Sequence, residues 1–184
     1  MKAWHFIRED RRLGYDDGRE VKVGETLSCT GEPKLCENGM HGSKRILDAL
    51  IYAPGQICCR VEITGDVSVS DDKVVGRHRK VLAMVDASNI FHEFACRCSE
   101  DALALIGKPD PRSVAAIKAK RDWICGKITD AELAAARDAA RDAAWAASWA
   151  ASWAAAGDAS WAAASDAQNR RLTSMVSAAI RKQT

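Results

Sequence analysis

The 184-residue chain is predicted to fold as an α+β protein, a small mixed β-sheet domain with covering helices over residues 1–128, followed by a long Ala-rich α-helix over residues 129–184. Three observations lead there. In residues 57–64, Cys59, Val61 and Ile63 alternate with Arg60, Glu62 and Thr64, which places one face of a strand on a core and the other toward water. In residues 88–106, Ile90, Phe91, Phe94, Cys98, Ala102 and Leu105 fall on one broad helical face. From Arg137 onward, eight consecutive tetrads carry alanine at the third place.

Taken in order, Lys2-Ala3-Trp4-His5-Phe6-Ile7 reads as a first strand, closed by the Gly-rich, charged connection Gly14-Tyr15-Asp16-Asp17-Gly18. Ser43 to Tyr52 has Ile46, Leu47, Leu50 and Ile51 at helical spacing, with Ser43 as the expected N-cap and Pro54-Gly55 as the stop. The strand at 57–64 ends in the turn Gly65-Asp66. Val67 and Val69 begin a further extended piece, and Val81 to Val85 another, separated by a polar loop around Asp71 and Asp72. The helix at 88–106 is expected to cover the sheet and stop at Gly107. Asp110-Pro111 supplies an N-cap followed by proline at the first helical position, and Gly126 ends that helix. Thr129-Asp130-Ala131-Glu132 is a capping box, in which a hydroxyl and a carboxylate satisfy free amides at the entrance of the long helix.

In that helix a period of four advances the pattern by roughly 40° per tetrad. Trp145, Trp149 and Trp153 therefore share a face, and Trp161 has wound away from it. A repeat longer than 3.6 residues winds its track right-handedly. Alanine's helix propensity predicts one continuous or gently kinked rod of roughly 75 Å, with a hairpin at Ala156-Gly157-Asp158 as the alternative. Each tryptophan can bury on the order of 200 Å², and four left bare would make a patch that soluble monomers avoid. These rings are thus expected to be partner-binding residues that meet another chain or the globular half. A low-complexity expansion, tolerated because alanine helices are harmless, accounts for the same repeats without a partner.

The formal charge is +2, and the segment from Thr129 carries six basic and six acidic residues, which argues against a dedicated nucleic-acid binder. The short basic groups at 77–80 and 118–121 read as solvated surface. The odd count of seven cysteines, with no secretory signal after Met1-Lys2-Ala3, predicts reduced thiols in a cytoplasm. The longest uncharged stretch, Ala143 to Gly157, would span only ~22 Å as a helix and is not expected to cross a membrane.

Chemistry-bearing motifs are sparse. His92, Cys96 and Cys98 lack the paired spacing of a zinc site and do not converge on one helix, so no metal is expected. Cys58 and Cys59 are adjacent on a strand and face opposite ways. There is no GxGxxG, Walker, HExxH or serine-elbow sequence. The constellation left is His5 on the first strand, His41 in the Gly-flanked Met40-His41-Gly42-Ser43 turn, and Asp71 with Asp72 after the strand pair.

Lys2-Ala3-Trp4-His5-Phe6, Leu35-Cys36-Glu37-Asn38-Gly39-Met40-His41 and Cys59-Arg60-Val61-Glu62-Ile63-Thr64-Gly65-Asp66-Val67 resemble the marks of an uncharacterised protein family of tailed bacteriophages and prophages, over residues 1 to about 130. Members of that family often end in similar Ala/Trp/Arg/Asp repeats. The resemblance implies a phage-encoded protein and leaves its activity open; joined to the tryptophan track, it leads to the expectation of an accessory protein in the host cytoplasm that binds itself or a host or phage protein without a cofactor, against host defence or in virion assembly. The order of elements also resembles small rifamycin ADP-ribosyltransferases. These hold NAD with a first-strand histidine, stack nicotinamide on a tyrosine and use a downstream acid near the ribose. On that alternative, His5 matches the first role and Asp71 or Asp72 the third, while the middle position falls at Met40-His41, with histidine in place of tyrosine; the protein modified would be the host's.

Overall fold

The computed structural model describes residues 1–14, 17–105, 108–151 and 158–183, and the side chains of 142–164 fall outside what is described. The chain is α+β, as its periodicities predict. Strands β1 (Lys2–Ile7), β2 (Thr26–Ser28), β3 (Met40–Gly42), β4 (Ile57–Thr64), β5 (Ser68–Val69), β6 (Val74–Gly76) and β7 (His78–Asp86) build two antiparallel sheets. The larger has the order β1-β4-β7-β2 and the smaller β3-β6-β5. The helices are α1 (Ile46–Ile51), α2 (Ser88–Ala104), α3 (Pro111–Ile124), α4 (Asp130–Ala151) and α5 (Asp158–Arg181).

The predicted alternation of β4 holds on one face. Cys59, Val61 and Ile63 are buried there with Ala3, Ile7, Val81 and Leu27, beneath Leu13, Val21, Met40 and Val74. Burying each such aliphatic side chain is worth about 1.5–3 kcal/mol. A bulge on β7 preserves this face. Arg60 pairs with Ala83 and Val61 with Val81, so Leu82 is the extra residue. Strict alternation from Met84 would have turned Lys80 inward; the bulge instead turns Val81 and Arg79 onto the core face. The opposite face is not simply wet, as the alternation implied. Phe6, Cys58 and Val85 lie in one register row and are buried, and the Arg60 guanidinium rests 4.5 Å above the Trp4 ring.

Helix α1 departs from expectation. Ser43 does not cap it but exchanges backbone hydrogen bonds with Trp4 at 2.8 and 2.9 Å, tying β1 to the chain that follows β3. The N-cap position falls to Arg45, which offers no side-chain cap. Asn169 supplies one from far along the sequence, its Oδ1 accepting from Leu47 N at 3.3 Å.

Contacts divide the chain into two compact units, residues 1–88 with 169–184, and residues 89–168. This differs from the expected division at 128/129. The last helical turns after the tetrads are not a free rod: Leu172 and Val176, four apart on one face of α5, are completely buried in the first unit. In the second unit, Asp110 caps α3 by accepting from Arg112 N at 2.8 Å, and α4 opens with the predicted capping box, Thr129 N donating to Glu132 Oε2 at 2.8 Å. α3 and α4 pack along each other. On α2 the buried residue is Cys96, while Ala102 and Leu105 of the expected apolar face are exposed. Gly107 and residues 152–157, which include the possible hairpin and Trp153, lie outside the described residues. Among the described residues no helix is long and apolar enough to cross a membrane.

Candidate functional site

Within the core face of the larger sheet stand two polar side chains, His5 and Arg79, with Asp86 at its exposed end opposite Ile57. His5 stands opposite Cys59 in the pairing of β1 with β4, and Cys59 opposite Met84 on β7. Its neighbours on that face, Ala3, Ile7 and Cys59, are buried, yet His5 itself is partly exposed. No described group hydrogen-bonds its ring. Burial first, then the positive charges of Arg79 and His41, hold its pKa well below the ordinary 6.5, so the imidazole is neutral near pH 7.

Arg79 is 3% exposed. Nη1 donates to the His41 carbonyl at 2.8 Å, Nε is buried without any partner, and no carboxylate pairs with it among the described residues. Desolvation lowers its pKa to about 10, which still leaves it charged at neutral pH. The solvated surface that the basic run 77–80 suggests therefore fails at this residue: the bulge on β7 turns it inward.

His41 is placed by its two glycines. Gly39 has φ +125°, and a Cβ there would stand 2.5 Å from Val75 Cγ2; one on Gly42 would stand 3.0 Å from the Trp4 carbonyl oxygen and 3.1 Å from Ala3 Cβ. Both ring nitrogens are engaged. Cys36 N donates to Nε2 at 3.3 Å and Nδ1 lies 3.0 Å from the Gly39 carbonyl, a pattern that assigns the Nδ1–H tautomer. His41 thus pins the 36–41 turn through its ring and holds Arg79 through its carbonyl.

The two aspartates belong elsewhere in the same unit. Tyr52 Oη donates to Asp72 Oδ2, Ser70 Oγ donates to Asp72 Oδ1 at 3.2 Å, and Asp71 is exposed on the loop. The Tyr52 hydrogen bond, with the smaller contribution of Ser70, holds the Asp72 carboxyl below its usual range. Lys73 Nζ sits 4.2 Å above the Tyr52 ring and donates to Cys36 Sγ at 3.3 Å. The structure brings His5 and His41 into electrostatic reach of one another and gathers Asp72 with Tyr52. Burial pushes the Cys59 thiol up to about 12, which makes it a packing group and not a nucleophile.

In the second unit, His92 meets Trp123 edge to face at 5.2 Å, Lys120 covers the same indole at 3.6 Å, and Trp123 Nε1 donates to Asp130 Oδ1 at 2.6 Å. No group of three metal-binding side chains gathers among the described residues. Trp145 and Trp149 lie on the α4 backbone and Trp161 on α5, with their side chains outside the described set; Trp153 lies outside the described residues altogether.

The strands, the glycine-set turn and the His5 face all precede α2, and residues 1–93 match the model of a domain of unknown function, DUF7666. The chain belongs to the DUF7666 family. Its DUF7666 region includes His5, His41, Asp71, Asp72 and Arg79, whereas the tetrads lie beyond it. Neither a curated protein nor a solved structure matches the chain. Arg79 is the residue that sequence reading missed. The available signal was its place two residues before Val81, on the same side of a strand.

Proposed function

We propose that this DUF7666 protein is a phage or prophage accessory protein that acts by protein–protein binding, associating with itself or with a host or phage protein through the tryptophan tetrads. The observation that supports this is the anchoring of the arm at both ends. Its entrance is fixed by the Thr129–Glu132 capping box and by buried Leu133, and its exit by Leu172 and Val176, buried in the unit of the sheets. Tryptophan is the residue type most enriched at the energetic centres of interfaces, and the tetrads place four of them between these two folded flanks. Host defence or virion assembly is the setting this reading assigns to it.

Removing everything after Ile128 would strip Leu172 and Val176 from the core, so point substitution is the cleaner test. Trp149→Ala and Trp153→Ala should each weaken association by more than ~2 kcal/mol if those rings are central. Sedimentation velocity across a concentration series reads this directly. A full-length protein that stays monomeric at high concentration, and that captures the same proteins with and without the substitutions, would refute the reading.

A second reading, ADP-ribosyl transfer from NAD to a host protein, draws support from the unengaged His5 ring on a solvent-reached face. The fit is limited to that histidine, since Asp72 is held by Tyr52 and Ser70 and the His41 ring is committed to its own turn. No step through NAD is derived. Label transfer from NAD that persists undiminished in His5→Ala would remove His5 from that role.

A further inference from the structure

We propose that the core face of the DUF7666 sheet holds a phosphoryl group, bound by the free edge of Arg79 with His5 as a further donor. This goes beyond the arm-binding reading and does not depend on it. In a guanidinium, the Nε–H and the neighbouring Nη2–H form a side-on fork that fits two oxygens of one anion. Here Nη1 is spent on the His41 carbonyl, which fixes the plane of the group and leaves that fork without an acceptor, Nε being buried and unpartnered.

A buried cation without a carboxylate is strongly unfavourable, and proteins ordinarily pair it or replace it by an apolar residue. Among the described residues no carboxylate is free to compensate Arg79. Asp17, the carboxylate whose charge reaches it, is already committed to Arg19 through bonds of 2.6 and 2.7 Å. Arg11, held in the left-handed region at φ 56°, sends its charge to Cys59 on the same face, and Arg19 sends its own to Arg79. An anion entering this face would therefore meet one buried fork and a neutral imidazole whose nitrogens bond to no described group.

The donor set favours a tetrahedral oxyanion over a planar carboxylate. The Arg79 fork supplies two parallel N–H donors in one plane, and a carboxylate would commit both of its oxygens to them. The His5 ring rises from β1, two strands away across the sheet and level with Met84, and would supply a donor separate from that fork. A third acceptor oxygen there is what a phosphoryl group has and a carboxylate lacks.

The test uses the full-length protein at constant ionic strength, titrated with inorganic phosphate, pyrophosphate, ADP and, as the planar comparison, acetate. Long-range proton–nitrogen spectra of the histidine rings should show His5 moving with phosphate while His92, in the other unit, stays in place. At a hundredfold excess over Kd, the melting temperature should rise by about 5 °C. Arg79→Met should melt higher than the wild type in anion-free buffer and lose the phosphate response. Should that variant fail to fold, His5→Gln, expected to weaken phosphate binding at least tenfold, and the wild-type spectra decide the matter. Stronger binding of ADP than of phosphate assigns the group to a nucleotide, and the reverse to the free ion; both support the site. A still His5 ring with every anion means that water alone satisfies the fork and overturns the proposal, as would equal responses to phosphate and acetate or an undiminished response in Arg79→Met. Sedimentation of the same samples reads the arm separately, so either idea can fail without the other.

Discussion

In the unit of residues 1–88 and 169–184, buried apolar side chains run from Ala3 and Phe6 through Ile63 and Val81 to Leu172 and Val176, whereas among the described residues of 89–168 the buried ones are Cys96 and Leu133. The helical unit relies instead on polar fasteners. Arg121 bridges Glu93 at 3.0 Å and also pairs with Glu100, Trp123 donates to Asp130, and caps close the starts of α3 and α4. Exposed fasteners of this kind contribute little each, because water competes for both partners. The difference explains where an imperfectly paired group can persist. A densely buried sheet unit can carry Arg79 as an unfavourable residue, while the described residues of the helical unit, with so few buried side chains, show no comparable reserve.

The comparison breaks most decisively at the joint between the arm and the sheets. Leu172→Ala should destabilise the sheet unit by about 3 kcal/mol, since it removes a completely buried side chain and leaves a cavity. Urea unfolding followed by a probe in that unit measures it; a loss under 1 kcal/mol would show that α5 is not part of that core. In the helical unit the largest single loss should come from Arg121→Met, about 1 kcal/mol after allowing for screening of a group whose side chain is 36% exposed. That loss should shrink in high salt, and the Leu172 loss should not. Next is Thr129→Ala, which removes half of the capping box and should cost about 1 kcal/mol or slightly less. Circular dichroism of thermal unfolding would register it as an earlier loss of helix.

The smallest effect at neutral pH concerns protons. His5 and His41 have folded pKa values lowered from 6.5, so on acidification the unfolded chain takes up protons first. Stability is therefore unaffected above 6.5 and declines as the pH falls below it, until the folded pKa values are reached. His5→Gln should flatten that decline. An acid limb of unchanged slope in the variant would mean that His5 is not held neutral by its surroundings.

Features of short range were legible in the order of residues. β1, β4, the Asp110 cap, the Thr129–Glu132 box and the stop at Gly126 each rest on neighbours within a few positions, where periodicity and hydrogen-bond geometry act without help from the rest of the chain. The same reading placed His5 on a strand, but not on a partly open face. Ser43 was expected to cap a helix because serine offers a hydroxyl, whereas pairing with Trp4 across the fold took its backbone first. The order of elements leads to the expectation of Asp72 as a free acid, yet its carboxylate is held by Tyr52.

By itself the sequence determined the α+β class, the strands with clean alternation, the capped helix starts and the four-residue period of the arm, all consequences of local torsion and local hydrogen bonding. Only the tertiary structure decided that Arg79 is buried, that Asn169 caps a helix beginning 123 positions before it, and that Leu172 and Val176 return to the sheet unit. Those outcomes depend on one extra residue in β7 and on contacts between distant segments, and the free energy of such contacts exists only once both segments are in place.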